Sequence, residues 1–489
     1  MKVQTLPHAT APVRRTTGLA LSLPQLWEII TVALPVMISL GAPLLTIDLA
    51  YHLRAGEIML GSHALPRTDT FSFTATGAPW LDQQWGSQIL FALLFRAGGW
   101  ATLAVARAAL IGFTFFLVFR TCRSAGAPAR VASWLTLGSF LVALKYLSLR
   151  PQLVGVALFA VTMWIVVGRR RHPAALWWMP PVVALWANIH GSFFLGPLVL
   201  FLAWLEDRSA RLPDADRMLW IAVASAGAAA LNPFGLRVWS YALGLSTNPE
   251  ITRSISEWQP PSIRDVGGAL FFASAAIVAV LLARRARVVS WATLRWLGPF
   301  FVLALLAQRA IPWWALAAAP VIAVAIQAPP PVTERHRSVA NTAVAVLLSL
   351  FVLALLPWWR GKNPLASAIP TLAEAPPGIT AELERVMRPG DRMFNPQPWG
   401  SWFTFALPRY KVFVDSRIEV FSRDVWEDYR AVSQGEEGWQ RLLDRWRVTV
   451  VVAIPDAEDQ GRLVPRIRSD PSWRLAYRDA DGLVFVRNR

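Results

Sequence analysis

Long apolar runs recur through the first 357 positions of the chain, and their length limits the fold more than any motif does. A helix rises about 1.5 Å per residue, so about 20 apolar residues cross the roughly 30 Å hydrocarbon core of a bilayer with every backbone N–H and C=O satisfied inside the segment. Runs near that length are read at 27–47, 100–119, 131–147, 152–168, 174–189, 192–206, 217–232, 267–283, 291–307, 311–327 and 339–357, giving eleven expected spans. The composition agrees: of 489 residues, 55% are hydrophobic and only 16% charged, which excludes a water-soluble globule. The 29 Gly and 36 Pro follow no period, so collagen-like and linker classes fail as well. A single cysteine, Cys122, excludes an internal disulfide and any multi-cysteine metal site.

A net charge of +17 would suggest nucleic acid in a soluble chain, but these cations lie in loops. One alternate set of loops holds Lys2, Arg14 and Arg15, then Arg120, Arg123 and Arg130, then Arg169, Arg170 and Arg171, then Arg208, Arg211 and Arg217, then Arg284, Arg285 and Arg287, then Arg335 and Arg337. The positive-inside rule makes that set cytoplasmic. With an odd number of spans, the expectation is a multi-pass protein of the cytoplasmic (inner) membrane whose N-terminus is cytoplasmic and whose C-terminal region is extracytoplasmic. The first run lacks a small-x-small cleavage site and reads as a retained helix. The expected division is a cytoplasmic segment 1–26, a transmembrane domain 27–358 with outer loop one at 48–99 and outer loop four at 232–266, and an extracytoplasmic α/β domain 359–489. Loop one reads as a helix over 48–60, extended chain over 66–79 and a helix along the membrane surface over 84–97. In the last segment, strands are expected at 411–415 and 449–454, helices at 381–387 and 439–446, and a hairpin over 473–486 around Asp481-Gly482. No phosphate-binding glycine loop occurs, and nothing indicates a nucleotide.

Polar residues crowd the outer side of the expected spans. Asp48-Leu-Ala-Tyr-His52-Leu-Arg54-Ala-Gly-Glu57 begins where the first span ends; on a helix Asp48 and His52 share a face at i and i+4, and Arg54 and Glu57 form a neighbouring i, i+3 pair. Trp80-Leu-Asp82-Gln83-Gln84-Trp85 follows, with Asp82 placed either to cap the surface helix or to serve as a second acid. The short outer turns add Arg150-Pro-Gln152 and Asn188-Ile-His190, and the later loops add Glu257-Trp258 and Arg309. Carboxylates suit proton transfer or metal binding, arginines suit phosphate because of their planar fork, and indoles suit the faces of sugars.

The Asp-x-x-x-His-Leu-Arg-x-Gly-Glu run after the first span, the long first outer loop with two helices, the number of spans and the outer α/β region together resemble the GT-C membrane glycosyltransferases. The resemblance covers essentially the whole chain and extends distantly to the oligosaccharyltransferase catalytic subunits. It implies transfer of a sugar from a polyprenyl-phosphate carrier to an acceptor glycan, lipid or protein at the outer membrane face, with Asp48 as the hallmark acid. It further implies Asp82 as a second catalytic acid, and Arg150, Arg309, His52, Arg54, Glu57, Gln83, Trp85, Gln152, His190 and Glu257 as the residues around donor and phosphate. A divalent metal, Mg or Mn, held by Asp48 and His52 is the cofactor it allows. The chain departs from the oligosaccharyltransferases in two places: the Ser148–Pro151 turn carries no second acidic motif, and Asn395-Pro-Gln-Pro-Trp399-Gly-Ser-Trp402 echoes their acceptor motif without its central acid. Both departures count against a peptide acceptor and an obligatory metal.

Two other classes compete. A secondary transporter would carry polar residues and broken helices at the bilayer midplane, with internal repeats, and neither pattern is visible. A non-catalytic scaffold would account for the basic loops and the C-terminal region but not for the polar crowding. The discriminating observation is whether Asp48, His52, Asp82 and Arg150 open onto one cavity.

Overall fold

The computed structural model of the chain describes residues 20–248, 251–252, 255–284, 291–326, 337–360, 365, 371–455 and 462–488. The expected cytoplasmic cations Lys2, Arg14, Arg15, Arg285, Arg287 and Arg335 lie outside the described residues. Each of the expected apolar runs carries a helix. Leu23–Gly41, Trp85–Ser124, Val266–Arg284 and Gln308–Ile326 are long and apolar enough to cross a membrane, and Pro151–Val167, Leu294–Leu306 and Val339–Ala354 are shorter apolar helices. The chain is a helical membrane protein.

The helix expected along the membrane surface, too close to the next apolar run to stand apart from it, forms one helical stretch with that run, Trp85–Ser124, with a corner at Gly98–Gly99. Gly99 makes that corner at φ 62°, ψ −150°, a region that only glycine enters without strain. At the exit of Leu23–Gly41, Arg107 donates to the carbonyls of Ser39 (2.6 Å), Ala42 (2.6 Å) and Pro43 (2.7 Å). It satisfies carbonyls that the helix end leaves open and fixes where the chain leaves the bundle. Leu44–Leu45 then pairs in parallel with Leu372–Ala373, and Thr46–Ser62 begins at once.

The C-terminal region carries a four-stranded sheet in the order Met393–Phe394, Val450–Ala453, Leu483–Arg487, Trp473–Arg478, parallel in the first pair and antiparallel in the other two. The expected hairpin is its last pair, and helices lie at Pro377–Val386 and Trp439–Arg445 near their expected places. The run 411–415, expected as a strand, is extended but joins no sheet; Val412 instead bridges Ser72 of loop one. Nor does this region close a core alone, since Phe413, Trp426 and Phe485 share a cluster with Tyr51, Phe71 and Trp80 of loop one.

At that junction Arg417 is 0% exposed, as are its partners Asp69 and Asp415, each 2.6 Å from its Nη2. Its guanidinium lies 4.4 Å from the Phe71 ring centre and 4.5 Å from that of Trp80. Removing the cation leaves two buried, uncompensated carboxylates, a change that typically costs about 3–5 kcal/mol. Arg417→Ala is therefore expected to lower the thermal unfolding midpoint in detergent and to open residues 66–80 to limited proteolysis. Wild-type resistance to cleavage there would show that the ion cluster does not hold loop one.

Candidate functional site

A polar cavity of about 400 Å³ lies where Thr46–Ser62, the 148–152 turn, the 188–192 turn, the 255–258 turn and the C-terminal region meet. Asp48, His52, Arg150, Gln152, His190, Glu257 and Arg309 all line it. Gln397, Ser416, Ile418 and Glu419 of the C-terminal region line it from their side. Ser416 donates to Ile47 O at 2.6 Å, so this wall is tied to the residue before Asp48.

Arg150 joins the two acids. Its Nη1 donates to Asp48 Oδ2 (2.9 Å) and Glu257 Oε2 (3.0 Å), its Nη2 to Glu257 Oε1 (2.5 Å) and its Nε to Ser148 Oγ (2.7 Å). Among the described residues Asp48 Oδ1 accepts no hydrogen bond and stays available to the cavity. Burial and the like charge of Arg150 keep His52 neutral, pushing its pKa down to about 3.

A second cavity of about 470 Å³ adjoins the first and shares Gln152, His190, Tyr241, Trp258 and Arg309 with it. Its remaining wall is largely apolar, with Phe194, Leu303, Leu306 and Trp313. Arg309 stands at the junction, 4.4 Å from the Trp258 ring centre, with Nη2 donating to Gln152 Oε1 at 3.1 Å. Gln152 Nε2 donates back to Arg309 O at 2.8 Å. Among the described residues no carboxylate pairs with Arg309, so its charge is the unmatched one of the site. Next to it, His190 Nδ1 accepts from the hydroxyl (2.7 Å) and backbone N–H (3.2 Å) of Ser192, whose Oγ accepts from Trp186 Nε1. With Nδ1 occupied, the His190 proton sits on Nε2, the nitrogen 3.4 Å from Arg309 Nη2. Both groups therefore present donors, an arrangement suited to an anion.

Asp82 does not line the cavity, contrary to its expected role as second acid there. It is 3% exposed, and Trp85–Ser124 opens without a side-chain cap: Asp82 Oδ1 instead accepts from Gln88 Nε2 at 2.8 Å. The same Gln88 Nε2 lies 3.2 Å from His52 Nδ1. With Asp82 ionised, the Gln88 amide turns its N–H groups toward both, His52 Nδ1 accepts, and the His52 proton lies on Nε2. Burial pushes the Asp82 pKa up to about 7. A carboxyl raised this way stabilises the fold fully below its unfolded value near 3.8, and that contribution is lost as pH rises toward about 7. Asp82→Asn should accordingly gain several degrees in unfolding midpoint over wild type at about pH 8 compared with about pH 4. An equal difference at both pH values would show that Asp82 does not titrate in this window.

Other expected site residues lie elsewhere. Glu57 pairs with Arg96 (2.6 Å), not with Arg54, because the surface helix packs alongside Thr46–Ser62 and brings Arg96 within reach. Arg54 is half-buried off both cavities. Trp85 donates to Asn188 Oδ1 (3.0 Å) and Gln83 to Ala187 O (2.6 Å), so these two brace the turn that carries His190. Gln83 also reaches the wall of the second cavity, whereas Trp85 lines neither. The expected metal ligands do not fit a metal: Asp48 holds Arg150, His52 Nδ1 faces an amide N–H, and among the described residues no three His, Cys, Asp or Glu side chains converge. Sequence reasoning passed over Ser416, Glu419, Tyr241 and Arg417; the only local signal was the charged Asp415-Ser416-Arg417-Ile-Glu419 run after an apolar one.

No protein-family model matches the chain, and no curated protein matches it in sequence. In three dimensions it is similar to the archaeal oligosaccharyltransferase AglB from Archaeoglobus fulgidus, solved in complex with an inhibitory peptide and a dolichol-phosphate. The TM-score is 0.55 at 12% identity, over 95% of this chain and 74% of that one. At that identity the likeness is one of fold.

Proposed function

We propose that the protein is a membrane glycosyltransferase that takes a sugar from a polyprenyl-phosphate carrier and passes it to an acceptor hydroxyl at the outer face of the cytoplasmic membrane. The observation that carries this reading is the junction of the two cavities, where an unmatched Arg309 stands between an acid-bearing polar chamber and an apolar one. A lipid phosphate has that shape: an anionic head between a sugar and a hydrocarbon tail. The carrier's isoprenoid tail occupies the Leu303–Trp313 side, its phosphate meets Arg309 and His190, and the sugar faces Asp48.

In the reaction the acceptor oxygen forms a bond to the sugar's anomeric carbon, the bond from that carbon to the carrier phosphate breaks, and the acceptor proton passes to Asp48. Arg309 and the Nε2–H groups of His52 and His190 stabilise the charge that grows on the leaving phosphate. Gln152 holds Arg309 in place. The proposal includes eleven spans, with the cavities and residues 371–488 outside. Cys122 is fully buried, so introduced cysteines can be labelled without removing it: Arg170→Cys is expected to react only from the cytoplasmic side and Arg423→Cys only from the outside, and same-side labelling would overturn the topology.

Activity divides the roles. Asp48→Asn is expected to lower transfer by about 100- to 1,000-fold while leaving binding of the lipid phosphate intact. Arg309→Ala should weaken binding of undecaprenyl phosphate by about 10- to 100-fold, the usual worth of a hydrogen bond to a charged group. Wild-type binding by Arg309→Ala would reject the carrier site.

A further inference from the structure

We propose that the guanidinium of Arg150 is the resident cation of this site, standing between Asp48 and Glu257 where a divalent ion would otherwise sit, and that the cavity binds its anionic ligand without a metal. The inference concerns how the acids are neutralised and holds whatever group is transferred.

The geometry is that of a bridging cation. One nitrogen, Nη1, reaches both carboxylates, while Nη2 closes a two-point fork on Glu257 and Nε is anchored by Ser148. The acids come from separate segments, Asp48 from the helix after the first apolar run and Glu257 from the turn before Val266–Arg284, and the cation between them offsets the repulsion of their like charges. Two carboxylates that accept from one guanidinium nitrogen at a half-buried site would otherwise repel, and a guanidinium relieves that at any working pH. A magnesium or manganese ion would need about six oxygen ligands near 2.1 Å. Of the four carboxylates that line the cavity, Asp48 and Glu257 are already engaged by Arg150 in charge-assisted hydrogen bonds, Glu374 and Glu419 complete no cluster of three ligands among the described residues, and His52, the remaining expected ligand, has its Nδ1 turned to Gln88.

Charge bookkeeping points the same way. Arg150 is paired with both Asp48 and Glu257, whereas among the described residues Arg309 has no carboxylate partner, so the paired acids keep their own cation and Arg309 is left to meet an anionic ligand. Of the five N–H groups of Arg150, four are used within the site, leaving one on Nη2 for an incoming phosphate oxygen. Arg150 thus holds both acids in place and has a single donor for ligand.

The test is Mn²⁺ binding to the purified, EDTA-stripped full-length protein in detergent, read from the loss of the free-ion electron paramagnetic resonance signal. Wild type is expected to leave that signal unchanged. Arg150→Ala and Arg150→Gln, each checked for a wild-type elution profile, should gain a Mn²⁺ site that Glu257→Gln in the same chain removes again. A stoichiometric site in wild type that Asp48→Asn abolishes would overturn the proposal. So would the absence of any gain in both folded Arg150 variants, because the acids would then not converge on a cation position. In parallel, undecaprenyl phosphate is titrated in EDTA and in Mn²⁺, with equal affinity expected; binding that appears only with Mn²⁺ would overturn the proposal. Failure to bind the lipid under either condition would reject the carrier reading and leave the Mn²⁺ result standing.

Discussion

Arg417 holds two parts of the chain in one body. Its carboxylate partners lie 348 residues apart for Asp69 and two apart for Asp415, and all three groups are shut away from water. Burying a guanidinium is tolerable only if most of its donors and its faces find partners, and here two acids and the rings of Phe71 and Trp80 supply them. The cluster makes loop one and the 412–419 stretch a single wall. Ser416 then reaches Ile47, and Ile418 and Glu419 line the cavity that Asp48 faces.

The cavity divides its chemistry by what each group can give. Ser192 and Gln88 occupy the Nδ1 atoms of His190 and His52, so both imidazoles offer N–H, and Arg309 adds more donors. Histidine, often the first residue considered as a base, is here placed to stabilise an anion. In the proposed reaction proton acceptance falls to Asp48, whose Oδ1 accepts no hydrogen bond among the described residues and whose side chain lines the cavity. Asp82 acts at one remove, through the amide of Gln88, and its burial keeps it from serving a ligand directly.

The apolar chamber beside Arg309 gives this arrangement its link to a membrane. Its wall comes from Leu303, Leu306 and Trp313, residues of the two apolar helices that meet at Gln308–Ala310. The break between those helices puts Arg309 where the apolar chamber meets the polar one. Trp258 covers its guanidinium and limits the water that competes for it.

What the sequence by itself determined follows from rules that act along the chain. Apolar run length and the need to satisfy the backbone in lipid set the helices, and a glycine pair set the corner at Gly98–Gly99. The end of the first run placed Asp48, and the crowding of polar residues beyond the runs marked the side where a cavity would form. Which charges meet was decided only by the tertiary structure. Arg54 and Glu57 stand at pairing distance along one helix, yet Glu57 takes Arg96 from another. Asp48 is met by Arg150 across 102 positions, Arg150 by Glu257 across 107, and the end of the first helix by Arg107, a cation inside an apolar run. Helix periodicity fixes neighbours three and four residues away, whereas these pairs depend on how helices cross and loops fold back. A side chain's partner, and with it its protonation and its chemistry, is a property of packing between distant segments, on which the local pattern of residues carries no information.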